Sequence, residues 1–232
     1  MFDQMSSQVE TESQLMPAQK ADRRESAIVE TAQKRFSHYG YSKTTMEEIA
    51  RDLGMGKASL YYYFPTKESL FSAVIAAGLE ELSVFAAHLL AEQGRASDKI
   101  RAYAERRLDY FRKTLILSRL DLQTYSKIRP TFSKTMQDFA KREHEILRAM
   151  LESGTREGEF VLDDPERVAG VLLRVLRGLR ILLFKSSSPE EPSQKDLDTL
   201  RQDTQFVTET FLRAIQAHPG HSSIPATEGN PD

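Results

Sequence analysis

The sequence has no cysteine and no tryptophan among its 232 residues. Without cysteine there is no disulfide, no thiolate metal site and no thiol nucleophile. Such a composition suits a reducing compartment, and a cytoplasmic protein is expected. An excess of charge of one sign is also missing: 32 basic residues face 34 acidic ones, a formal net charge of −2. A protein that held nucleic acid through bulk charge would be strongly basic, so a nucleic-acid partner would have to be met by a local patch. The first residues, MFDQMSSQVETESQ, lack both the basic start and the apolar stretch of a secretory signal. No unbroken apolar run reaches the ~18 residues of a membrane span. The longest candidate, 168–184, is interrupted by Arg174, Arg177 and Arg180, so no membrane partner is expected.

Catalytic signatures are equally scarce. The histidines at 38, 88, 144, 218 and 221 show no HExxH spacing. His144 lies between Glu143 and Glu145, but sequence neighbours on a helix point to different faces. The segment Gly154-Thr-Arg-Glu-Gly158 lacks the Lys-Ser/Thr that completes a phosphate loop, and no nucleophile elbow occurs. The expectation is a protein without metal or cofactor that is not an enzyme.

What remains is helical periodicity from one end to the other. Hydrophobic residues make up 40% and charged residues 28%, ordinary for a globular chain long enough to bury a sizeable core. Residues 1–19 are polar and aperiodic and read as a disordered arm. From Ala21 an apolar stripe of Ile28, Val29, Ala32, Phe36 and Tyr39 runs to Gly40. Thr44 or Thr45 caps a short helix, each with a glutamate three residues on, and Ile49, Ala50 and Leu53 face inward until Gly54 stops it. A third helix runs over 57–63 and ends before Pro65. Thr66 then caps a long helix with Leu70, Phe71, Val74 and Ile75 on its first buried face. Further helices start at Ser97 and then, after a short segment at 120–127, at Pro130 (broken by Gly154 and Gly158), at Asp164-Pro165-Glu166 and at Gln194. The stretch 186–192 reads as a loop and 218–232 as a disordered tail. The predicted fold is all-α: a three-helix domain over 20–68 followed by a larger helical domain over 69–217.

The segment 44–64 has the form of a helix-turn-helix, two short helices joined by a glycine turn, whose second helix fits the major groove. Lys57, Ala58 and Ser59 lie on the first turn of that second helix. Lysine donates to guanine O6 or N7, alanine meets a thymine methyl, and serine donates or accepts. Tyr61, Tyr62 and Tyr63 carry hydroxyls suited to phosphate oxygens, and Lys67 adds charge beside the same backbone. Thr44 and Thr45 offer hydroxyls and a helix N-terminus to the other strand. Leu60 and Phe64, four apart, anchor the helix to the core. Other readings stay open: Thr44 and Thr45 as caps alone, Tyr61 as a core residue, and Arg23 and Arg24 as either solvated or groove-bound.

The residues 44–70, TTMEEIARDLGMGKASLYYYFPTKESL, closely resemble the DNA-binding signature of the tetracycline-repressor (TetR) family. Shared are T-[TV]-x-x-[IL]-A and then L-G-x-x-x-[AGS]-[ST]-L-Y-x-[YH]-F-x-x-K-x-x-L. The phrase ETAxxxFxxxG from Glu30 to Gly40 extends the match to about 23–75. Gly56 departs from it, standing where the family often has Ser or Ala at the start of the recognition helix. The resemblance implies a homodimeric regulator, usually a repressor, with a palindromic operator and a small-molecule effector bound by the C-terminal domain. It also implies Thr44, Thr45, Lys57, Ala58, Ser59, Tyr61, Tyr62, Tyr63 and Lys67 as the contacts to double-stranded DNA.

In the C-terminal half, the helix over 165–184 is apolar around most of its circumference and must be buried on two sides. With the helix over 194–217 it is expected to form an isologous homodimer interface. Candidates for an apolar effector pocket are Phe85, Leu89, Tyr103, Phe111, Tyr125, Phe132, Met136, Phe139 and Leu176, with plain core packing as the alternative. Their scarcity of ionisable neighbours points to a lipophilic effector. The competing function is a helical small-molecule or lipid-binding protein with no DNA role.

Overall fold

In a computed structural model the backbone is described over 17–118, 122–186 and 193–217, and the side chains over 19–114, 126–179 and 193–217. These residues form eight helices: α1 Pro17–Tyr39, α2 Met46–Asp52, α3 Lys57–Tyr63, α4 Lys67–Ala91, α5 Ala96–Ser118, α6 Leu122–Arg156, α7 Pro165–Ser186 and α8 Gln194–Ile215. No strand accompanies them among the described residues, only an isolated antiparallel bridge between Phe160 and Gln216. The fold is all-α, as the periodicity predicts.

Three local expectations change. The first helix begins at Pro17 rather than Ala21, so 17–19 belong to its first turn; proline there lacks only an N–H that would be unpaired anyway. The rest of the expected arm, 1–16, and the expected tail, 218–232, lie outside the described residues, as do 187–192 of the expected loop. Pro130 does not restart the chain but sits inside α6. Proline removes one main-chain bond, and Ile128 and Phe132, both buried, hold the helix on either side of it. Gly154 is likewise inside α6, because a Cβ there would stand 2.4 Å from the Phe160 ring: the glycine makes room for an aromatic lid. Gly158, at φ 75°, is the residue that turns the chain.

The described residues divide into two compact units. The first holds 17–81, 110–118 and 122–138. Its core collects Ile28, Ala32 and Phe36 from α1, Met46, Ile49 and Ala50 from α2, Leu60 from α3, and Leu70, Phe71 and Val74 from α4. Phe36, Tyr41 and Phe71 form a three-ring cluster with centroids 4.9–5.7 Å apart. Farther along α4, Tyr110 lies against Gly78, with its hydroxyl donating to Ile75 O at 3.1 Å. A window of 18 residues in α4 reaches a mean hydropathy of 1.7, enough in length and composition to cross a membrane. The sequence survey did not single out this helix, and its own longest candidate, 168–184, carries three arginines. Scattered serines and glutamates break the run of letters in α4 without lowering its average much.

The second unit holds 82–109, 139–186 and 193–217. Here α7 packs on α8. Asp164 caps α7 by accepting from Arg167 N at 2.8 Å, and Ser193 with Asp196 forms a capping box on α8. Glu159 reaches from a distant loop to the start of α5, accepting from Ala96 N at 2.7 Å and Ser97 N at 3.3 Å.

Candidate nucleic-acid interface

Two helices and the turn between them build the site. In α2 the N-cap is Thr45, whose hydroxyl accepts from Glu48 N while the Glu48 carboxylate accepts from Thr45 N, a complete capping box. Leu53 and Gly54 close the helix, and Gly54 takes φ 61°, a conformation that favours glycine. The turn leads to Gly56, which starts α3 in extended geometry and supplies no side-chain cap. The glycine departure therefore has a visible effect: α3 begins on main-chain bonds alone, from Ser59 N and Leu60 N to Gly56 O.

Leu60 is fully buried and Phe64 nearly so, which fixes the opposite face of α3 outward. That outward face carries Lys57, Ala58 and Ser59, all exposed, followed by Tyr62 at 84% exposure. Tyr61 lies at the edge of exposure with the Lys57 ammonium 5.6 Å from its ring centre, and Tyr63 is half-buried, its ring edge-on to Tyr62. Lys57 forms an ion pair with Glu47 across the turn. This hydrogen bond and the neighbouring negative charge raise the Lys57 ammonium above its ordinary value. Arg35 of α1 fastens α2 from behind, with Nε 2.6 Å from Asp52 Oδ2 and Nη1 2.9 Å from Glu48 Oε2.

Thr44 and Lys67 differ from the other predicted contacts. Thr44 is fully buried, and its hydroxyl donates to Gly40 O at 2.8 Å, so it offers nothing to a phosphate and holds the turn instead. The Lys67 ammonium donates to Tyr41 O at 2.9 Å and Thr44 O at 3.0 Å, and it lies 4.3 Å from the centre of the Tyr41 ring. Burial pushes this amine below its ordinary value, partly opposed by the charge of Glu68. Glu68 in turn accepts from Tyr41 Oη at 3.1 Å. Lys67 thereby clamps the start of α4 to the loop before α2. Sequence reasoning missed this because loop carbonyls able to accept a side-chain donor leave no mark in residue types.

The apolar effector set divides between the units. Phe111, Phe132 and Met136 belong to the first; Phe85, Leu89, Tyr103, Phe139 and Leu176 belong to the second. Tyr125 falls among residues whose side chains lie outside those described. Tyr103 donates its hydroxyl to Glu143 Oε1 at 2.7 Å within a buried ionic cluster that the residue pattern did not single out. Arg107 Nε donates to the same oxygen at 2.5 Å, and Arg177 Nη2 to Glu143 Oε2 at 3.0 Å. Burial drives the Glu143 carboxyl upward, but Arg107, Tyr103 and Arg177 together bring it below its ordinary value. The available signal was register: Arg107 occupies a core position of the stripe Ile100, Tyr103, Ala104, Leu108.

Known proteins bear on this geometry. Residues 28–74 match the family model described as bacterial regulatory proteins, tetR family. A transcriptional regulator of Cytophaga hutchinsonii is 37% identical in sequence and superimposes with a TM-score of 0.76, over 82% of this chain and 97% of that one. An uncharacterized HTH-type transcriptional regulator of Bacillus subtilis, YhgD, is 28% identical over 75% of this chain and 89% of its own length. The HTH-type transcriptional regulator RutR of Escherichia coli is 45% identical over 49 residues, 21% of this chain and 23% of its own.

Proposed function

This chain belongs to the tetR family of bacterial regulatory proteins, and from that premise we propose that it is a repressor that binds a palindromic operator as a homodimer and is released by a small lipophilic effector. Its relatives are DNA-binding transcriptional regulators rather than enzymes. One observation carries the reading of the interface. The first turn of α3 presents Lys57, Ala58 and Ser59 to solvent while Leu60 and Phe64 lock the helix from the other side. Small side chains at 58 and 59 let the helix approach the groove floor, with Lys57 leaving Glu47 for a base edge or phosphate. Tyr61, Tyr62 and Tyr63 take the backbone beside it, and Thr45 the opposite strand. Thr44 and Lys67 support this surface from beneath.

Dimerisation is assigned to α7 and α8. They pack together and leave Val175 and Phe206 exposed at 39% and 72%, apolar surface of the kind a second copy covers. A two-fold axis would set two α3 helices in successive major grooves, about 34–36 Å apart. The effector is placed in the second unit, whose interior includes Leu89, Phe139 and Leu176. By linkage, an effector that favours the released state loses affinity when operator is bound. A DNA-bound regulator of this kind acts in the cytoplasm.

The test is fluorescence anisotropy with the DNA upstream of the protein's own gene at two salt concentrations. Saturable, salt-sensitive binding to a palindrome at two chains per site is expected. No binding at low salt would leave the competing reading, a helical ligand-binding protein without a DNA role.

A further inference from the structure

Between α6 and α7 of the second unit lies an open cleft of about 540 Å³. Lys141, His144 and Arg148 of α6 line it, with Arg174 and Arg177 of α7. The charges there are unequally matched. Arg148 Nε lies 3.3 Å from Glu166 Oε2, and Nη1 lies 2.5 Å from Glu152 Oε1. His144 stands with Nδ1 3.5 Å from Glu166 Oε1 and Nε2 3.1 Å from Glu166 O. Arg177 is turned inward to the buried Glu143. These pairs account for Glu166, and Glu145 is the other carboxylate on the wall. Lys141 and Arg174 are exposed, and among the described residues neither has a carboxylate partner.

Two unmatched cations in one cleft repel each other, and a bound anion is the group that would relieve both. The floor is shaped for it. A Cβ at Gly170 would stand 3.2 Å from Arg174 Nη1 and 3.4 Å from His144 Nε2. Glycine at 170 thus lets the guanidinium and the imidazole lie close over the α7 backbone. Arg177 adds a further feature, since one guanidinium serves both the cleft and the buried Glu143 cluster.

We propose that this cleft is a binding site for a small multivalent anion, a ligand carrying carboxylate or phosphate groups, held by Lys141 and Arg174 with Arg177 behind them. The site is separate from the α3 surface, and its test needs no DNA, so its failure would leave the reading of α3 standing.

The test is isothermal titration of the full chain at low salt, with citrate as the carboxylate probe and inorganic pyrophosphate as the phosphate probe. Saturable binding of at least one probe, with a stoichiometry of one per chain, is expected. The double substitution Lys141→Gln with Arg174→Gln should weaken it by about 10-fold or more, while Lys141→Arg with Arg174→Lys should restore most of the affinity. Because both side chains are exposed and lack a carboxylate partner among the described residues, the double variant should melt as the parent protein does. Equal affinity in parent and double variant, or no saturation by either probe at about 10 mM, would overturn the proposal. So would a double variant that keeps probe binding and loses DNA binding, which would assign the two cations to the nucleic-acid backbone.

Discussion

On α3 the polar side chains stand in solvent and have few partners among the described residues: Ser59 and Tyr62 are exposed, and Lys57 is held by Glu47 and the Tyr61 ring. In the second unit the arrangement is reversed. Glu143 is buried beneath Tyr103, Arg107 and Arg177, and each of its oxygens is occupied. The first kind of polarity can be offered to a partner at the cost of its own hydration but without breaking a buried pair. The second is confined to the fold, because withdrawing any member strands a charge in a medium that solvates it poorly. Where Lys67 falls in this contrast was not evident from its residue type, since a lysine beside a recognition helix looks like a phosphate contact until its two carbonyl acceptors are seen.

Four substitutions would sharpen or break that division. The largest effect is expected for Glu143→Gln, which removes the buried carboxylate charge that Arg107, Tyr103 and Arg177 bond to; urea denaturation should show a loss of about 3–5 kcal/mol. The same cluster sets a pH signature. Because the Glu143 carboxyl titrates lower in the folded chain than unfolded, its contribution is fully present above the unfolded value of about 4.3 and is lost as pH falls through the folded one. The parent protein should therefore show a steeper acid limb of destabilisation than the glutamine variant, which keeps the contributions of Glu48, Glu159, Asp196 and Glu209; parallel pH curves would break the contrast.

Next comes Lys67→Met. It should lower stability by about 1–3 kcal/mol through the two lost hydrogen bonds to Tyr41 O and Thr44 O, and weaken binding to every DNA sequence while leaving the salt dependence unchanged. A salt slope reduced by about 1 would instead make Lys67 a phosphate contact. Tyr62→Phe should remove about 0.5–1.5 kcal/mol of operator affinity and nothing from the melting temperature; a stability change would move Tyr62 to the structural side. The smallest effect belongs to Gly56→Ser. A Cβ at 56 meets only Ser59 Oγ at 3.9 Å, and φ there is −67°, so serine fits and supplies the missing cap. A gain of a few tenths of a kcal/mol in thermal unfolding is expected.

The sequence made the helices of the first unit legible because each boundary carries its own chemical marker: Gly40, Thr45, Gly54, Pro65. The inward pair Leu60 and Phe64 fixed the outward face of α3 as well. What stayed hidden depended on contacts distant along the chain. Arg35 finds Asp52, Lys67 finds Tyr41 O, and Glu159 caps α5 from 63 residues away. Pro130 and Gly154 misled for a related reason. Both are local helix breakers, and both are overridden by buried aromatic and aliphatic neighbours whose positions no local rule supplies.

The hydropathy of α4 has a consequence during synthesis. Its whole apolar surface leaves the ribosome before Tyr110, which packs on Gly78, and before Phe132, whose ring lies 6.4 Å from that of Phe71. At roughly 5–20 residues per second, the nascent chain displays a membrane-like segment for some seconds before those aromatic partners emerge. Through that interval only the N-terminal end of the helix has its partners at hand, because Leu70, Phe71 and Val74 pack with residues of α1, α2 and α3 that have already emerged.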